Sequence, residues 1–174
     1  VSGQSNAEHT VGSCVNYSSN LDIDKNDGIR LFAQTQNYVW STQDTCARTP
    51  QKDVVNPAWH WNYSDQASVY AFSAIGYFFA KEVYDRTGIP QGVVMIAAGG
   101  ATLSELMPAE VAKKQGLTQG ANVCLAGYYN ALAHPFVGMN CKGMLFFQGE
   151  SEAGTLSWAE KYDQYMEAYI QGMR

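Results

Sequence analysis

Positive charge is scarce in this sequence: 11 Lys and Arg stand against 16 Asp and Glu, giving a net charge of −5. Phosphate backbones are gripped by clustered basic side chains, so nucleic acid is excluded as the partner. Long hydrophobic runs are missing as well. No stretch reaches the roughly 18 apolar residues of a membrane-spanning helix, so no membrane partner is expected. Paired C-x-x-C spacing is absent among Cys14, Cys46, Cys124 and Cys141, which excludes the usual structural zinc site. Two disulfides, Cys14–Cys46 and Cys124–Cys141, each closing a short segment, stand beside the alternative of four free thiols. There is no internal repeat and no low-complexity tract.

What remains is a globular composition, 46% hydrophobic and 16% charged over 174 residues. That length fits a single domain, residues 1–174, able to bury roughly 70% of its unfolded surface without metal or disulfide. Ile29–Ala33 and Tyr38–Trp40 read as short strands, and residues 43–65 as a long ordered loop. Ile75, Phe78, Phe79, Val83 and Tyr84 recur at helical spacing between Ser73 and Thr87, with Gly88 placed as a cap. Gly92–Ala98 and Lys142–Phe147 are apolar runs of the kind buried inside a parallel sheet. Helices are expected over 122–133, stopped by Pro135, and from about Ser157 onward, with Trp158, Tyr162, Tyr165, Met166 and Tyr169 inward. Strand alternating with helix predicts an α/β domain with a parallel sheet, whose ligands bind beyond the carboxyl ends of the strands.

Three glycine-containing polar clusters fall where such ends belong: Gly3-Gln4-Ser5-Asn6, Gly99-Gly100-Ala101-Thr102 and Gln148-Gly149-Glu150-Ser151. Ser5 sits at a strand-to-helix turn that exposes a hydroxyl and its own N–H, although the same four residues also suit an ordinary helix cap. Ala7 breaks the G-x-S-x-G pattern. The glycine pair lets backbone approach a ligand closely, or simply makes a tight turn. Gln148 is a neutral amide donor for a developing oxyanion or a structural amide. Glu150 orients a histidine or caps a loop. Asn16-Tyr17-Ser18 and Asn62-Tyr63-Ser64 match the glycosylation sequon.

In this order the three clusters resemble the sialic-acid O-acetylesterase-like and acetylxylan-esterase group of SGNH hydrolases, with Ala101 inserted before the Thr of the second. Phe72-Ser73-Ala74, Tyr129-Asn130-Ala131 and His134-Pro135 add to the likeness, which covers the whole chain. The resemblance implies a flavodoxin-like three-layer α/β fold with a central parallel sheet. It implies carbohydrate O-acetylesterase activity through an acetyl-enzyme on Ser5, with no cofactor and no metal. The N–H groups of Ser5 and Gly100 (or Gly99) and the Gln148 amide would form the oxyanion hole, and Glu150 the acid. Asn6, Gly99, Thr102 and His134 would line the substrate side, with an acetylated carbohydrate as partner and an extracytoplasmic location. Tyr38, Trp40, Trp59 and Trp61 are candidates for a sugar-stacking wall.

One part of the family pattern is absent. The base in that group is the histidine of an Asp-x-x-His segment, and His9, His60 and His134 do not lie in one. His9 is expected to point away from Ser5, and His60 to line a pocket wall. The expectation is therefore of a fragment, truncated at both ends and inactive alone. The alternatives are a non-catalytic glycan-binding module that kept the fold, and a flavodoxin-like binding domain without esterase ancestry.

Overall fold

The computed structural model describes residues 1–14, 26–34, 48–118 and 124–174. Tyr38, Trp40, Cys46 and the sequon at Asn16 lie outside the described residues. At the centre run β1 (Ser2–Gly3), β2 (Asn26–Phe32), β3 (Asn62–Ser64), β4 (Gln91–Val94), β5 (Ile96–Ala97) and β6 (Phe146–Phe147). β4 and β5 are consecutive pieces of one ribbon. On one side the ribbon pairs parallel with β2 through Ile29↔Gln91 to Phe32↔Val94, and Met95 N–H extends the ladder to Phe32 O at 3.0 Å. On the other side β5 pairs parallel with β1, and β1 with β6. The resulting spatial order is β3, β2, β4–β5, β1, β6, parallel except for β3, which runs antiparallel to β2. The strand at Asn62–Ser64 falls inside the segment expected to be loop; its three residues are too few to show an alternating pattern.

Both faces of the sheet carry cores. Ile96 packs with Leu103, Leu106, Leu132, Tyr165 and Tyr169 on one side. Its neighbour Ala97 packs with Ile29, Leu31, Phe72 and Tyr77 on the other. Adjacent strand residues facing opposite cores are what a three-layer α/β fold requires. The architecture is the three-layer α/β fold that the resemblance implies.

The helices in chain order are α1 (Ser5–Glu8), α2 (Gln66–Tyr70), α3 (Ala74–Thr87), α4 (Leu103–Leu106), α5 (Ala109–Lys114), α6 (Glu150–Ala153), α7 (Leu156–Ala159) and α8 (Tyr162–Gly172). α3 begins and ends where the sequence places it: Ser73 Oγ accepts from Gly76 N–H, and Gly88 takes the left-handed cap with φ 66°. Its buried face differs from the expected one. Ala74, Gly76, Tyr77 and Ala80 face the core, while Phe78 and Phe79 are half exposed. Small residues win because the sheet lies close; a Cβ at Gly76 would meet a Val1 methyl at 2.7 Å.

Four further expectations change. Lys142–Phe147 shrinks to the two-residue β6, which pairs with β1, and Phe147 is 46% exposed rather than buried. The expected helix ending at Pro135 is, within the described residues, a π-turn over Tyr129–Ala133, and Pro135 starts a 3-10 turn at His134–Phe136 instead of stopping a helix. The C-terminal helix is broken at Glu160–Lys161, leaving Tyr165, Ala168 and Tyr169 as the buried face of α8. No disulfide joins Cys124 to Cys141: Cys124 is buried and Cys141 is exposed. Cys14 keeps its thiol, which donates to Thr10 O at 3.6 Å. Among the described residues no helix is long and apolar enough to cross a membrane.

Candidate active site

Because β5, β1 and β6 are parallel neighbours, the turns that leave their carboxyl ends emerge side by side. The three polar clusters are those turns, and hydrogen bonds tie the third to each of the other two. Gln4, 5% exposed, accepts at Oε1 from Ser151 N–H at 3.1 Å, so the first turn holds the third. Asn6 Nδ2 donates to Glu150 Oε1 across the same gap. Ser151 Oγ donates to Gly100 O at 3.0 Å, and Gln148 Nε2 donates to Ala101 O at 3.1 Å, so the third turn also holds the second.

Glycine at position 3 is dictated by this convergence. Its φ is +142°, and an added Cβ would stand 1.9 Å from Phe147 O. No other residue lets β1 and β6 approach so closely just before the turn. Ser5 follows as the first residue of α1 and is exposed. As the first helical residue its N–H has no intrahelical acceptor. No hydrogen bond holds its hydroxyl among the described residues.

In the second turn the two glycines are not equivalent. Gly99 is half-buried beside Glu8, whose burial raises its pKa. Gly100 is exposed with φ 74°, a conformation that favours glycine. Of the two backbone donors expected here, Gly100 is the exposed one. Thr102, expected on the substrate side, is 7% exposed and caps α4: its N–H and hydroxyl both donate to Glu105 Oε2, at 2.9 and 3.0 Å. Burial raises the pKa of Glu105, with its Thr102 bonds opposing and Glu152 adding to the rise.

Gln148 is half-buried and fully engaged. Its Nε2 donates to Ala101 O and to Glu152 Oε2, and its Oε1 accepts from the Tyr162 hydroxyl at 3.0 Å. An amide has two N–H groups, so in this arrangement neither is open to a substrate carbonyl. Glu150 is exposed and bonded to Asn6, with no histidine against it among its hydrogen bonds.

The histidines are placed elsewhere. His9 is exposed with Nε2 on Ser13 O at 3.2 Å, and His60 is exposed with Nδ1 on Ala58 O at 2.7 Å. His134 is half-buried, with Nδ1 on Gln51 O at 2.7 Å and its ring edge-on to Tyr129. It fastens the segment around Gln51, and no hydrogen bond joins it to the three turns. Trp59 packs against the core and Trp61 is 42% exposed beside Phe32, so these two do not form one wall. Among the described residues no group of three His, Cys, Asp or Glu is placed to hold a metal ion.

Gln4 and Glu152 are the two residues of the site that the sequence did not reveal. Gln4 is inside a motif, but its role as an acceptor for another turn depends on spatial neighbours. Glu152 lies beyond the third cluster, on a helix too short to show periodicity.

An exposed serine at the carboxyl edge of a parallel sheet, between a glycine turn and an amide-bearing turn, is the arrangement that the resemblance to SGNH carbohydrate esterases implies. The family model for carbohydrate esterase, sialic acid-specific acetylesterase, matches residues 1–174, and the chain belongs to that family. Sialate O-acetylesterase of Pongo abelii is 24% identical over 164 residues, 86% of this chain and 30% of that protein. A solved carbohydrate acetylesterase from Xanthomonas citri superposes with a TM-score of 0.79 at 29% identity, covering 99% of this chain and 37% of that one. The chain thus spans about a third of the length of these relatives.

Proposed function

We propose that the protein is a serine O-acetylesterase acting on acetylated carbohydrate, with Ser5 as nucleophile. The observation that carries this reading is the exposed Ser5 hydroxyl, unbonded among the described residues, on the first of three turns that the third ties together. Ser5 Oγ attacks the acetyl carbonyl and the sugar C–O–acyl bond breaks, the departing sugar oxygen taking up the proton that Ser5 gives up; water then cleaves the acetyl-enzyme to acetate and restores the Ser5 hydroxyl. The N–H groups of Ser5 and Gly100 receive the oxyanion. Gln148 joins them when one of its N–H bonds is exchanged; such a donor is worth about 3–4 kcal/mol in the transition state. Asn6 and Gly99 line the approach, and the exposed Glu150 is the acid available to orient a base.

The base itself is not among His9, His60 and His134 as placed, so this reading requires a histidine from outside these 174 residues. That same observation favours a second reading, a glycan-binding module that keeps the fold without hydrolysis. Polymeric or cell-surface glycans as substrates imply action outside the cytoplasm.

The test is hydrolysis by the native protein of O-acetylated sialic acid, acetylated xylan and p-nitrophenyl acetate. Acetate release from one glycan above the ester background supports the esterase and names its substrate. Saturable glycan binding without acetate release supports the binding module instead.

A further inference from the structure

Glu152 is the most deeply buried carboxylate beside the site, 3% exposed on the last full turn of α6. A carboxylate so placed needs donors to compensate lost hydration. It has two, from two different turns. Oε1 accepts from Leu103 N–H, the first residue of α4, at 2.6 Å, and Oε2 accepts from Gln148 Nε2. Gln148 in turn is oriented by its amide nitrogen, which faces a carboxylate and a carbonyl, both acceptors, while its Oε1 shares the single Tyr162 hydroxyl proton with the Gln148 backbone carbonyl at 2.8 Å. Turning the amide over would set oxygen against both acceptors.

The two bonds of that amide nitrogen are unequal. A hydrogen bond to an ionised carboxylate is roughly twice as strong as one to a neutral carbonyl. The bond to Ala101 O is therefore the exchangeable one, and its N–H is directed at the turn that contains Gly100. We propose that Glu152 is a positioning residue of the esterase site. Its buried carboxylate holds one Gln148 N–H so that the other is presented at the Gly99–Thr102 turn. The bond from Leu103 N–H fixes the carboxylate itself, so that it meets Gln148 in one orientation. The inference rests on the esterase reading above.

The test is acetyl-ester hydrolysis by the native protein in four forms: wild type, E152Q, Q148A and the double variant. Glu152→Gln preserves size and sets an amide against the Gln148 N–H. The expected result is a fall in kcat of roughly 10²-fold, the loss typical of a slightly misplaced group, with KM little changed. The double variant should be no slower than Q148A. An unchanged kcat in E152Q, or losses that multiply in the double variant, would overturn the proposal. If E152Q does not fold, Glu152→Asp keeps the charge and withdraws it by one methylene. An intermediate kcat is then expected, and wild-type kcat in E152D overturns the proposal. A readout independent of turnover is the Gln148 side-chain amide in a ¹⁵N–¹H spectrum. Its two protons should be well separated and slow to exchange in wild type, and solvent-like in the Glu152 variant. Undisturbed signals there contradict the positioning role even if hydrolysis fails for another reason. Failure of the esterase reading looks different: S5A would hydrolyse as fast as wild type.

Discussion

The turn carrying Ser5 and the turn carrying Gln148 lie side by side but differ in what fixes the key residue. Ser5 itself is set by the backbone before it: Gly3 allows β1 to press against Phe147 O, and Gln4 N–H bonds that same carbonyl at 3.0 Å, while the Gln4 and Asn6 side chains tie the turn to its neighbour. The Ser5 side chain itself touches no hydrogen-bond partner among the described residues. Gln148 is set by side chains, from Tyr162, from Glu152 and through Ser151 to the second turn. A nucleophile must be free to react while its neighbours stay fixed. The contrast suggests that freedom at Ser5 is achieved by placing rigidity in the backbone before it and in the polar network beside it.

The comparison can be broken from either side. Ser5→Ala is expected to have the largest effect on function, lowering acetyl-ester turnover by about 10³-fold or more. Because Ser5 is exposed, its melting temperature should stay near that of wild type, measured by calorimetry. Gly3→Ala attacks the backbone support. The clash with Phe147 O and the left-handed φ together are expected to remove about 3 kcal/mol of stability, a drop in Tm of roughly 6–12 °C. Glu152→Ala attacks the side-chain support instead. It strands Leu103 N–H and the Gln148 amide and is expected to destabilise by about 2 kcal/mol in urea melts.

The next effect is one of pH. Glu105 has its pKa raised by burial above the ordinary 4.5, so the folded protein holds a proton that the unfolded chain releases. That contribution is complete below pH 4.5 and disappears as pH rises through the folded-state value. Glu105→Gln should therefore lose less stability than wild type as pH is raised from 4.5, checked by urea melts across the range. Smallest of all is Glu150→Gln. Its bond to Asn6 is exposed, and the change in stability should stay within about 0.5 kcal/mol.

The two turns also differ in how far the sequence disclosed them. The carboxyl-edge location of the second and third clusters was legible because glycine after an apolar run marks a strand end, whereas the first has only Val1 and Ser2 before it and gave no such run. The α3 boundaries were legible for the same kind of reason: Ser73 and Gly88 cap by local geometry. The side-chain network was not. Nothing near Glu152 in sequence signals that its partners are Leu103 and Gln148, 49 and 4 residues away. Nor does the phenylalanine pair in α3 reveal that the sheet comes too close for it, so Phe78 and Phe79 read as core and face outward. Thr102 reads as a substrate-side residue from its place in the second cluster, yet Glu105 three residues on turns it inward as a cap. What the sequence conveys well is local backbone preference; long-range polar partnership it conveys poorly.

The central claim is that Ser5 carries the acyl group. The direct measurement is rapid quench of the native protein during turnover of an acetyl ester, followed by peptide mass spectrometry. An acetyl mass increment on the peptide containing Ser5, absent from S5A, is expected. Turnover with that peptide unmodified, or an acetyl group accumulating on another residue, would contradict it.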